Sequence, residues 1–204
     1  MTHDPHALPT SVDWSHWLLE NRVRAGDWVV DATAGNGHDT LFLARLAGAQ
    51  GRVFAFDVQE AALASTRARL LEAGVLDACT LIHAGHQHLA EHLPAEARGR
   101  LAAVMFNLGW LPGADKQCIT HTASTMQAVA LALEWLRPGG LLTIVVYPGH
   151  AGGEEESQAV GAWAGALPSH SHEVRHMRSA NRKGRSPECW AIRQRPNKAE
   201  ISGW

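Results

Sequence analysis

The sequence predicts an α/β domain in which helices cover both faces of a mostly parallel sheet. Short apolar runs rich in β-branched residues alternate along the chain with longer stretches of helical spacing, and turns containing Gly or Asp separate them. That alternation is typical of βαβ units, which pair their strands in parallel. The chain has 204 residues, 46% of them hydrophobic and 19% charged, which favours one soluble domain, residues 1–204, around a single core.

The order of the elements follows from where each type of pattern occurs. The predicted strands are, in chain order, 28–31, 52–57, 80–83, 101–107 and 141–147. The stretches with helical spacing are 39–46, 59–73, 119–136 and 154–167. Gly74 ends the second of these helices, and the segment 137–140 (RPGG) ends the third. Two further strands, 172–177 and 188–193, are predicted around a basic turn at 179–187.

The N-terminal stretch 11–24 also has helical character. Its apolar residues include Trp14, Trp17, Leu18 and Val23. We therefore expect an N-terminal helical segment within residues 1–25 that covers the sheet or part of the functional site.

Charge is distributed unevenly along the chain. Residues 1–174 contain 10 Lys and Arg against 18 Asp and Glu, whereas residues 175–204 contain 8 against 2. An acidic body with a basic end, a C-terminal segment of strands and loop, can hold a polyanion beside a site without attracting it everywhere. The alternative is that the basic end is simply a solvated tail.

Several classes of protein are not indicated. No basic segment followed by an apolar run begins the chain, and no 18 uncharged apolar residues occur in succession, so we expect a cytoplasmic protein without a membrane partner. Three distant cysteines without C-x-x-C spacing argue against a disulfide framework. Histidines such as His86, His88 and His92 have no Cys or carboxylate partner at zinc spacing, so we predict no metal site.

A glycine-containing loop follows the first predicted strand, at the sheet edge where parallel α/β folds bind ligands. It reads D-A-T-A-G-N-G-H-D-T over residues 31–40, and Gly35 and Gly37 allow the backbone to approach a ligand closely. A dinucleotide-binding motif would have a small residue where this chain has Thr40. Asp57, after the second strand, stands about 20 residues beyond the glycines, the spacing of an acid that binds ribose hydroxyls. Its alternative role is a helix N-cap.

The segment Asn107-Leu108-Gly109-Trp110 follows the fourth predicted strand. It is similar to the Asn/Asp-Pro-Pro-aromatic motif of amino-group methyltransferases, in which a side-chain amide and backbone carbonyls hold the substrate nitrogen and the aromatic ring packs on the substrate. Leu108 and Gly109 replace the two prolines. An ordinary turn at the end of a strand, with Trp110 packed in the interior, is the alternative interpretation.

Five blocks of sequence together resemble the rRNA-methylase-like family of class I S-adenosylmethionine-dependent methyltransferases. They are VDATAGNGHDTLFLA at 30–44, FDVQ at 56–59, GHQHL at 85–89, NLGWLPGADK at 107–116 and YPGHAGGEEE at 147–156. The resemblance implies a Rossmann-like domain with a seven-stranded sheet. It also implies methylation of the exocyclic amine of 5-aminomethyl-2-thiouridine at wobble position 34 of tRNA, with the anticodon stem-loop as partner.

The resemblance also implies where the cofactor and the substrate bind. The residues expected to contact S-adenosylmethionine are Asp31, Thr33, Gly35, Asn36, Gly37, His38, Asp39, Thr40, Asp57, Gln59, Gly85, His86 and Asn107. Asn36 and His38 belong to the methionine end, Asp57 to the ribose, and Gln59 to the adenine. The residues expected to contact the substrate are Trp110, Lys116, Tyr147, His150, Gly152, Arg182 and Lys183.

An alkylamine must lose a proton before it attacks a methyl group. We expect the Asn107 side chain and the backbone carbonyl of Leu108 to hold the amine, and Asp31 or a path of water to accept the proton. Two other functions stay open: an N-methyltransferase for rRNA or a small amine, and a non-catalytic, nucleotide-sensing module that binds RNA. The oligomeric state is also open between a monomer and a homodimer.

Overall fold

The computed structural model describes residues 8–109, 121–149, 151–182 and 186–196. In these ranges the strands are β1 (Trp28–Asp31), β2 (Arg52–Asp57), β3 (Cys79–His83), β4 (Leu101–Asn107), β5 (Leu136–Val146), β6 (His172–Met177) and β7 (Glu188–Gln194). The α-helices there are α1 (Ser11–Glu20), α2 (His38–Ala47), α3 (Glu60–Glu72), α4 (Leu89–His92), α5 (Thr122–Trp135) and α6 (Gly153–Ala166). Short 3₁₀ turns lie on either side of α4.

These strands form one sheet in the order β3-β2-β1-β4-β5-β7-β6. Neighbouring strands from β3 to β5 are parallel, and β7 is antiparallel to both β5 and β6. The predicted mostly parallel, seven-stranded α/β fold is confirmed. Because strand order reverses between β1 and β4, the loops after these two strands diverge and leave a crevice at the carboxyl edge of the sheet.

The core lies on both faces of the sheet. In β4, Val104 and Phe106 pack on one face and Ala103 and Met105 on the other, and all four are fully buried. Their alternation follows from the period of two residues along a strand. A slip of one residue in this strand would exchange the side chains of the two packed faces, so the packing on both sides keeps the strand ends in register at the site.

The predicted start of β5 at residue 141 is wrong. The strand begins at Leu136, which pairs with Leu101 of β4, and the pairing then shifts so that Leu141 lies opposite Ala103. The RPGG segment therefore does not separate the helix from the strand, because the irregularity in register absorbs these residues within the strand. Gly139 has a φ of +78°, a conformation that glycine adopts readily.

Helix α1 does not bury its tryptophans. Trp14 and Trp17 are 36% and 55% exposed, whereas Ser15 and Leu19 are fully buried. The Ser15 hydroxyl is hydrogen-bonded to the Thr143 hydroxyl of β5 at 2.9 Å. The buried face of the helix thus contains a polar pair as well as Leu19, and the helix ends at Glu20 instead of Arg24.

No helix in the described part of the chain is both long enough and apolar enough to cross a membrane.

Candidate active site

A cavity of about 850 Å³ opens at the carboxyl edge of the sheet, between the loops that follow β1, β2, β3, β4 and β5. Its lining residues are Val12, Ala32, Thr33, Ala34, Gly35, Asn36, His38, Asp39, Phe56, Asp57, Val58, Gln59, Ala84, Gly85, His86, Gln87, Asn107, Leu108, Gly109, His121, Ser124 and Tyr147. Ligand sites of α/β sheets are found at this position, and the volume suits a nucleoside-sized molecule.

Helix α3 fixes the loop between β1 and α2 from behind. The Thr66 hydroxyl donates a hydrogen bond to the Gly35 carbonyl at 2.9 Å, and Arg69 Nε donates one to the Asn36 carbonyl at 2.7 Å. A Cβ on Gly37 would stand 2.8 Å from the Thr66 Cα, and Gly37 has a φ of +77°. Only glycine therefore allows the loop to pack this closely on α3.

Asp57, at the end of β2, faces the cavity and braces the loop after β1. Its Oδ2 accepts a hydrogen bond from the Gly35 N–H at 2.8 Å, and its Oδ1 accepts one from the Gln59 N–H at 2.9 Å. The alternative that Asp57 is the N-cap of the next helix is wrong, because α3 begins at Glu60 and Gln59 holds the cap position. Each carboxylate oxygen retains a second lone pair for a ligand hydroxyl.

His86 forms a buried part of the wall. Its Nδ1 lies 3.3 Å from the Ala32 carbonyl, and its ring meets Phe106 edge to face with the centroids 5.5 Å apart. Burial lowers the pKa of His86 to about 4. The ring is therefore neutral at pH 7, and since the Ala32 carbonyl can only accept, the proton is on Nδ1 and Nε2 is an acceptor.

Asn107, at the end of β4, is held by two residues of the loop after β1. Its backbone N–H donates to Thr33 Oγ1 at 2.8 Å, and its Nδ2 donates to Asp39 Oδ2 at 3.1 Å. Burial raises the pKa of the nearby Tyr147 phenol and the Asp39 carboxylate raises it further, while the Asn107 side chain acts in the opposite direction. The phenol is thus neutral at pH 7 and close to Asn107 and Asp39.

The second oxygen of Asp39 binds a residue of the N-terminal helix. His16 Nε2 lies 2.8 Å from Asp39 Oδ1, and the His16 ring stacks on Phe42 with the centroids 3.9 Å apart. Nothing local in the sequence indicated that His16 reaches the site. Val12, one turn earlier in α1, and Ser124 of α5 also line the cavity and were not predicted there.

Some predicted site residues do not line the cavity. Asp31 is fully buried beneath the loop, where the Thr40 hydroxyl donates to Oδ2 at 2.6 Å and the Thr33 N–H donates to Oδ1 at 3.1 Å. Burial and the Asp39 carboxylate raise the pKa of Asp31 to about 7. Asp31 therefore affects the cavity only indirectly, by its hydrogen bonds to Thr33 in the loop after β1 and to Thr40 in the first turn of α2. Any proton it accepts must pass through another group.

The other predicted residues fall into three groups. Gly37 and Thr40 support the loop without lining the cavity, while Gly152 precedes α6 and Arg182 is exposed in the basic turn. Trp110, Lys116, His150 and Lys183 lie outside the described residues. All the remaining predicted residues meet at the cavity. In the part of the chain that the structure describes, no three His, Cys, Asp or Glu side chains are grouped closely enough to hold a metal ion.

The fold has clear counterparts among solved structures. A "putative rRNA-methylase" from Clostridium thermocellum superposes with a TM-score of 0.87 at 37% identity, over 92% of this chain and 99% of that chain. A "putative methyltransferase" from Streptococcus mutans in complex with SAH superposes with a TM-score of 0.81 at 33% identity, over 92% and 99% of the two chains. The sheet order and the cavity thus define the class: this is a class I S-adenosylmethionine-dependent methyltransferase fold.

The family follows from the sequence comparison. Residues 53–193 match the family model described as "Putative rRNA methylase". This chain belongs to that family. It is 40% identical over 163 residues to the chloroplastic tRNA (mnm(5)s(2)U34)-methyltransferase of Arabidopsis thaliana, an alignment that covers 76% of this chain and 58% of that protein. The chain therefore spans less than two thirds of that relative.

S-adenosylmethionine, the cofactor of this class, fits the residues at the cavity. Asp57 presents two positioned carboxylate oxygens, which suit the two hydroxyls of a ribose. Gln59, Phe56 and the neutral His86 form a largely apolar wall with amide and imidazole groups, which suits an adenine ring. Asn36, His38 and Asp39 also line the cavity, and Asp39 contacts Asn107, so polar groups are available there for the methionine end.

Proposed function

We propose that this protein transfers a methyl group from S-adenosylmethionine to the exocyclic amine of 5-aminomethyl-2-thiouridine at wobble position 34 of tRNA, giving 5-methylaminomethyl-2-thiouridine. The similarity to the Arabidopsis enzyme supports this choice of substrate. One observation supports an amine as the methyl acceptor: the side-chain amide of Asn107 has a fixed orientation at the cavity.

The orientation follows from what each group can donate. A carboxylate only accepts hydrogen bonds, so the amide nitrogen of Asn107 must face Asp39. The amide oxygen, Oδ1, then faces away from Asp39 and is suited to accept from an N–H of the substrate. An amine held by two acceptors, Asn107 Oδ1 and the Leu108 carbonyl, keeps its lone pair directed away from them. That lone pair is the group that attacks the methyl.

The reaction is a displacement at carbon. The sulfonium of the bound cofactor supplies an electrophilic methyl group. The substrate ammonium first gives up a proton, the amine nitrogen forms a bond to the methyl carbon, and the electrons of the broken C–S bond stay on sulfur. Asp39, in contact with Asn107 and exposed to the cavity, is the direct candidate for receiving the proton, while Asp31 needs an intermediary. The chain's contribution is mainly orientation.

Pro187, in the basic C-terminal segment, contacts the start of α1. The Ser11 hydroxyl donates to the Pro187 carbonyl at 2.7 Å, which ties the basic turn to the helix whose Val12 lines the cavity. Arg175, Arg178 and Arg182 are exposed there. Arginines that hold phosphates of an RNA loop would make binding weaken as the salt concentration rises.

The test uses labelled S-adenosylmethionine and bulk tRNA from a strain that accumulates 5-aminomethyl-2-thiouridine, with the nucleosides identified by mass spectrometry. We expect a methylaminomethyl product with the wild-type protein. Asn107→Ala should lose most of this product while SAH affinity, measured by calorimetry, changes by less than about threefold, because a single lost contact of this kind acts on the transition state.

Each outcome of that test has a meaning. If wild-type protein binds SAH but methylates no tRNA, the proposed substrate is wrong and rRNA or a small amine becomes the next candidate. If it methylates nothing and Asn107→Ala behaves like the wild type in every assay, the protein is a nucleotide-sensing module. If Asn107→Ala retains full turnover, the proposed role of the amide is wrong.

A further inference from the structure

The described residues contain two histidines in nearly the same surroundings. His16 stacks on Phe42 with ring centroids 3.9 Å apart and planes at 9°, and its Nε2 is 2.8 Å from Asp39. His176 stacks on Trp190 with centroids 3.8 Å apart and planes at 5°, and its Nε2 is 2.8 Å from Glu188. The two side chains are 27% and 26% exposed.

The two pairs differ in what the carboxylate touches next. Glu188 belongs to the edge hairpin formed by β6 and β7, and neither it nor His176 lines the cavity. Asp39 lines the cavity, and its second oxygen accepts the hydrogen bond from Asn107 Nδ2. Only the pair of His16 and Asp39 is therefore connected to Asn107, the residue whose amide is proposed to hold the amine.

The helix that carries His16 is held in place by contacts of its own. The Ser15 and Thr143 hydroxyls bind each other in the core, and the Ser11 hydroxyl binds the Pro187 carbonyl. His16 is therefore presented to Asp39 by a helix that is anchored at the sheet. Because a carboxylate with one free rotation about χ2 has two broad orientations, a fixed donor on Oδ1 also determines where Oδ2 stands.

We propose that His16 is a positioning residue for methyl transfer: by donating from Nε2 to Asp39, it sets the carboxylate that orients the Asn107 amide toward the acceptor amine. This inference rests on the proposed function for the identity of the acceptor. The hydrogen-bonded sequence from His16 through Asp39 to Asn107 does not depend on it.

The test separates the donor from the ring. His16→Phe keeps an aromatic ring for stacking on Phe42 and removes the donor, whereas His16→Gln keeps an N–H donor and removes the ring. His176→Phe is the matched control, because it removes the same stacked histidine and the same hydrogen bond away from the cavity. For all three variants we measure turnover on tRNA and the side-chain amide signals of Asn107 in a ¹H–¹⁵N spectrum. These signals are assigned as the ones that are absent from the spectrum of Asn107→Ala.

With His16→Phe we expect the Asn107 amide signals to shift and kcat to fall about tenfold to a hundredfold while KM for tRNA stays nearly constant, since misplacement by about 1 Å costs rates of this order. His16→Gln should restore most of both, and His176→Phe should alter neither. Unmoved Asn107 signals in His16→Phe overturn the proposal, as does an equal loss of turnover in His176→Phe. If the wild type methylates no tRNA, only the proposed substrate is lost, because the amide signals still test His16.

Discussion

The backbone N–H of Gly35 donates a hydrogen bond of 2.8 Å to Oδ2 of Asp57, 22 residues later in the chain. The acid at the end of β2 thereby supports the glycine loop that follows β1 while it lines the cavity. One side chain thus supports the loop and is also placed to bind the ligand, so we expect its loss to lower the affinity for the cofactor.

Asp57→Asn is expected to weaken SAH binding about tenfold to a hundredfold. Both oxygens of Asp57 accept from backbone N–H groups, and an amide can satisfy only one of them, while hydrogen bonds to a charged group are worth about 1.5 to 3 kcal/mol. Calorimetric titration with SAH measures the change. Asp77→Asn, at an exposed position beyond α3, is the control and should bind SAH as the wild type does. Equal affinity for Asp57→Asn and wild type would show that the carboxylate does not reach the ligand.

Gly37→Ala is expected to lower both the melting temperature and the affinity for SAH. The new Cβ would stand 2.8 Å from the backbone Cα of Thr66, which has no free side-chain rotation to relieve the contact. Overpacking of this kind costs about 1 to 3 kcal/mol in addition to the unfavourable φ. Gly74→Ala is the matched control, because Gly74 has a φ of +67° and no atom lies within 4 Å of the place that its Cβ would take.

Both glycine variants carry the cost of a positive φ, about 1 to 2 kcal/mol, so their difference in unfolding free energy isolates the contact with α3. We expect Gly37→Ala to be the less stable protein in urea unfolding and Gly74→Ala to retain wild-type affinity for SAH. A Gly37→Ala variant as stable as Gly74→Ala would mean that the loop and α3 separate easily.

Acid should destabilise the fold through His86. Burial lowers its pKa to about 4 in the folded protein, against an ordinary value of 6.5. As the pH falls below 6.5, His86 is protonated in the unfolded chain but stays neutral in the folded protein. The free energy of unfolding therefore decreases between pH 6.5 and pH 4. Each pKa unit corresponds to about 1.4 kcal/mol, which predicts a loss on the order of 3 kcal/mol from this residue.

His86→Gln isolates that contribution. A glutamine does not titrate and its amide retains a donor for the Ala32 carbonyl, so the difference in unfolding free energy between the two proteins should change with pH in this window. Asp31, whose pKa is raised to about 7, acts with the opposite sign in both proteins and cancels in the comparison. Parallel curves for the wild type and His86→Gln from pH 7 to pH 4 would contradict the assignment. The exposed His88→Gln serves as the control.

The polar contact between α1 and the sheet should be measurable as a coupling energy. Ser15 and Thr143 are fully buried and their hydroxyls are 2.9 Å apart. In a double-mutant cycle of Ser15→Ala and Thr143→Val, we expect a favourable coupling of about 1 kcal/mol, the usual net contribution of a hydrogen bond. Urea unfolding of the four proteins gives this value. Purely additive effects would show that this pair of hydroxyls does not help to anchor the helix.

The strands and the loops at their carboxyl ends were predictable because their signals are local. The predicted boundaries of β1, β2, β4 and β6 are confirmed, and those of the first three follow apolar runs. Parallel strands bring all their carboxyl ends to one edge, so the glycine loop, Asp57 and Asn107 had to meet once the alternation of elements was recognised. A loop and two residues from three separate segments were thus placed together by the topology alone.

The face that each peripheral element buries was not predictable in the same way. Trp14 and Trp17 are the largest apolar residues of α1, yet they are exposed, while the buried face of the helix includes Leu19 and Ser15, which bonds to the Thr143 hydroxyl. β5 begins at Leu136 because this residue pairs with Leu101 of β4 before the register shifts, so the start of the strand depends on pairing with its neighbour.

The α/β fold, the cofactor loop and the acid and amide at the strand ends follow from sequence patterns, because periodicity and glycine conformation act over short distances and parallel pairing is set by topology. The burial of Asp31 beneath the loop, and the contact of His16 with Asp39 across 23 residues, are set instead by long-range packing. Such contacts depend on how a packed helix is rotated about its axis. The free energy of the whole interface sets that rotation, and because the interface is formed by several segments, no single segment of sequence predicts it.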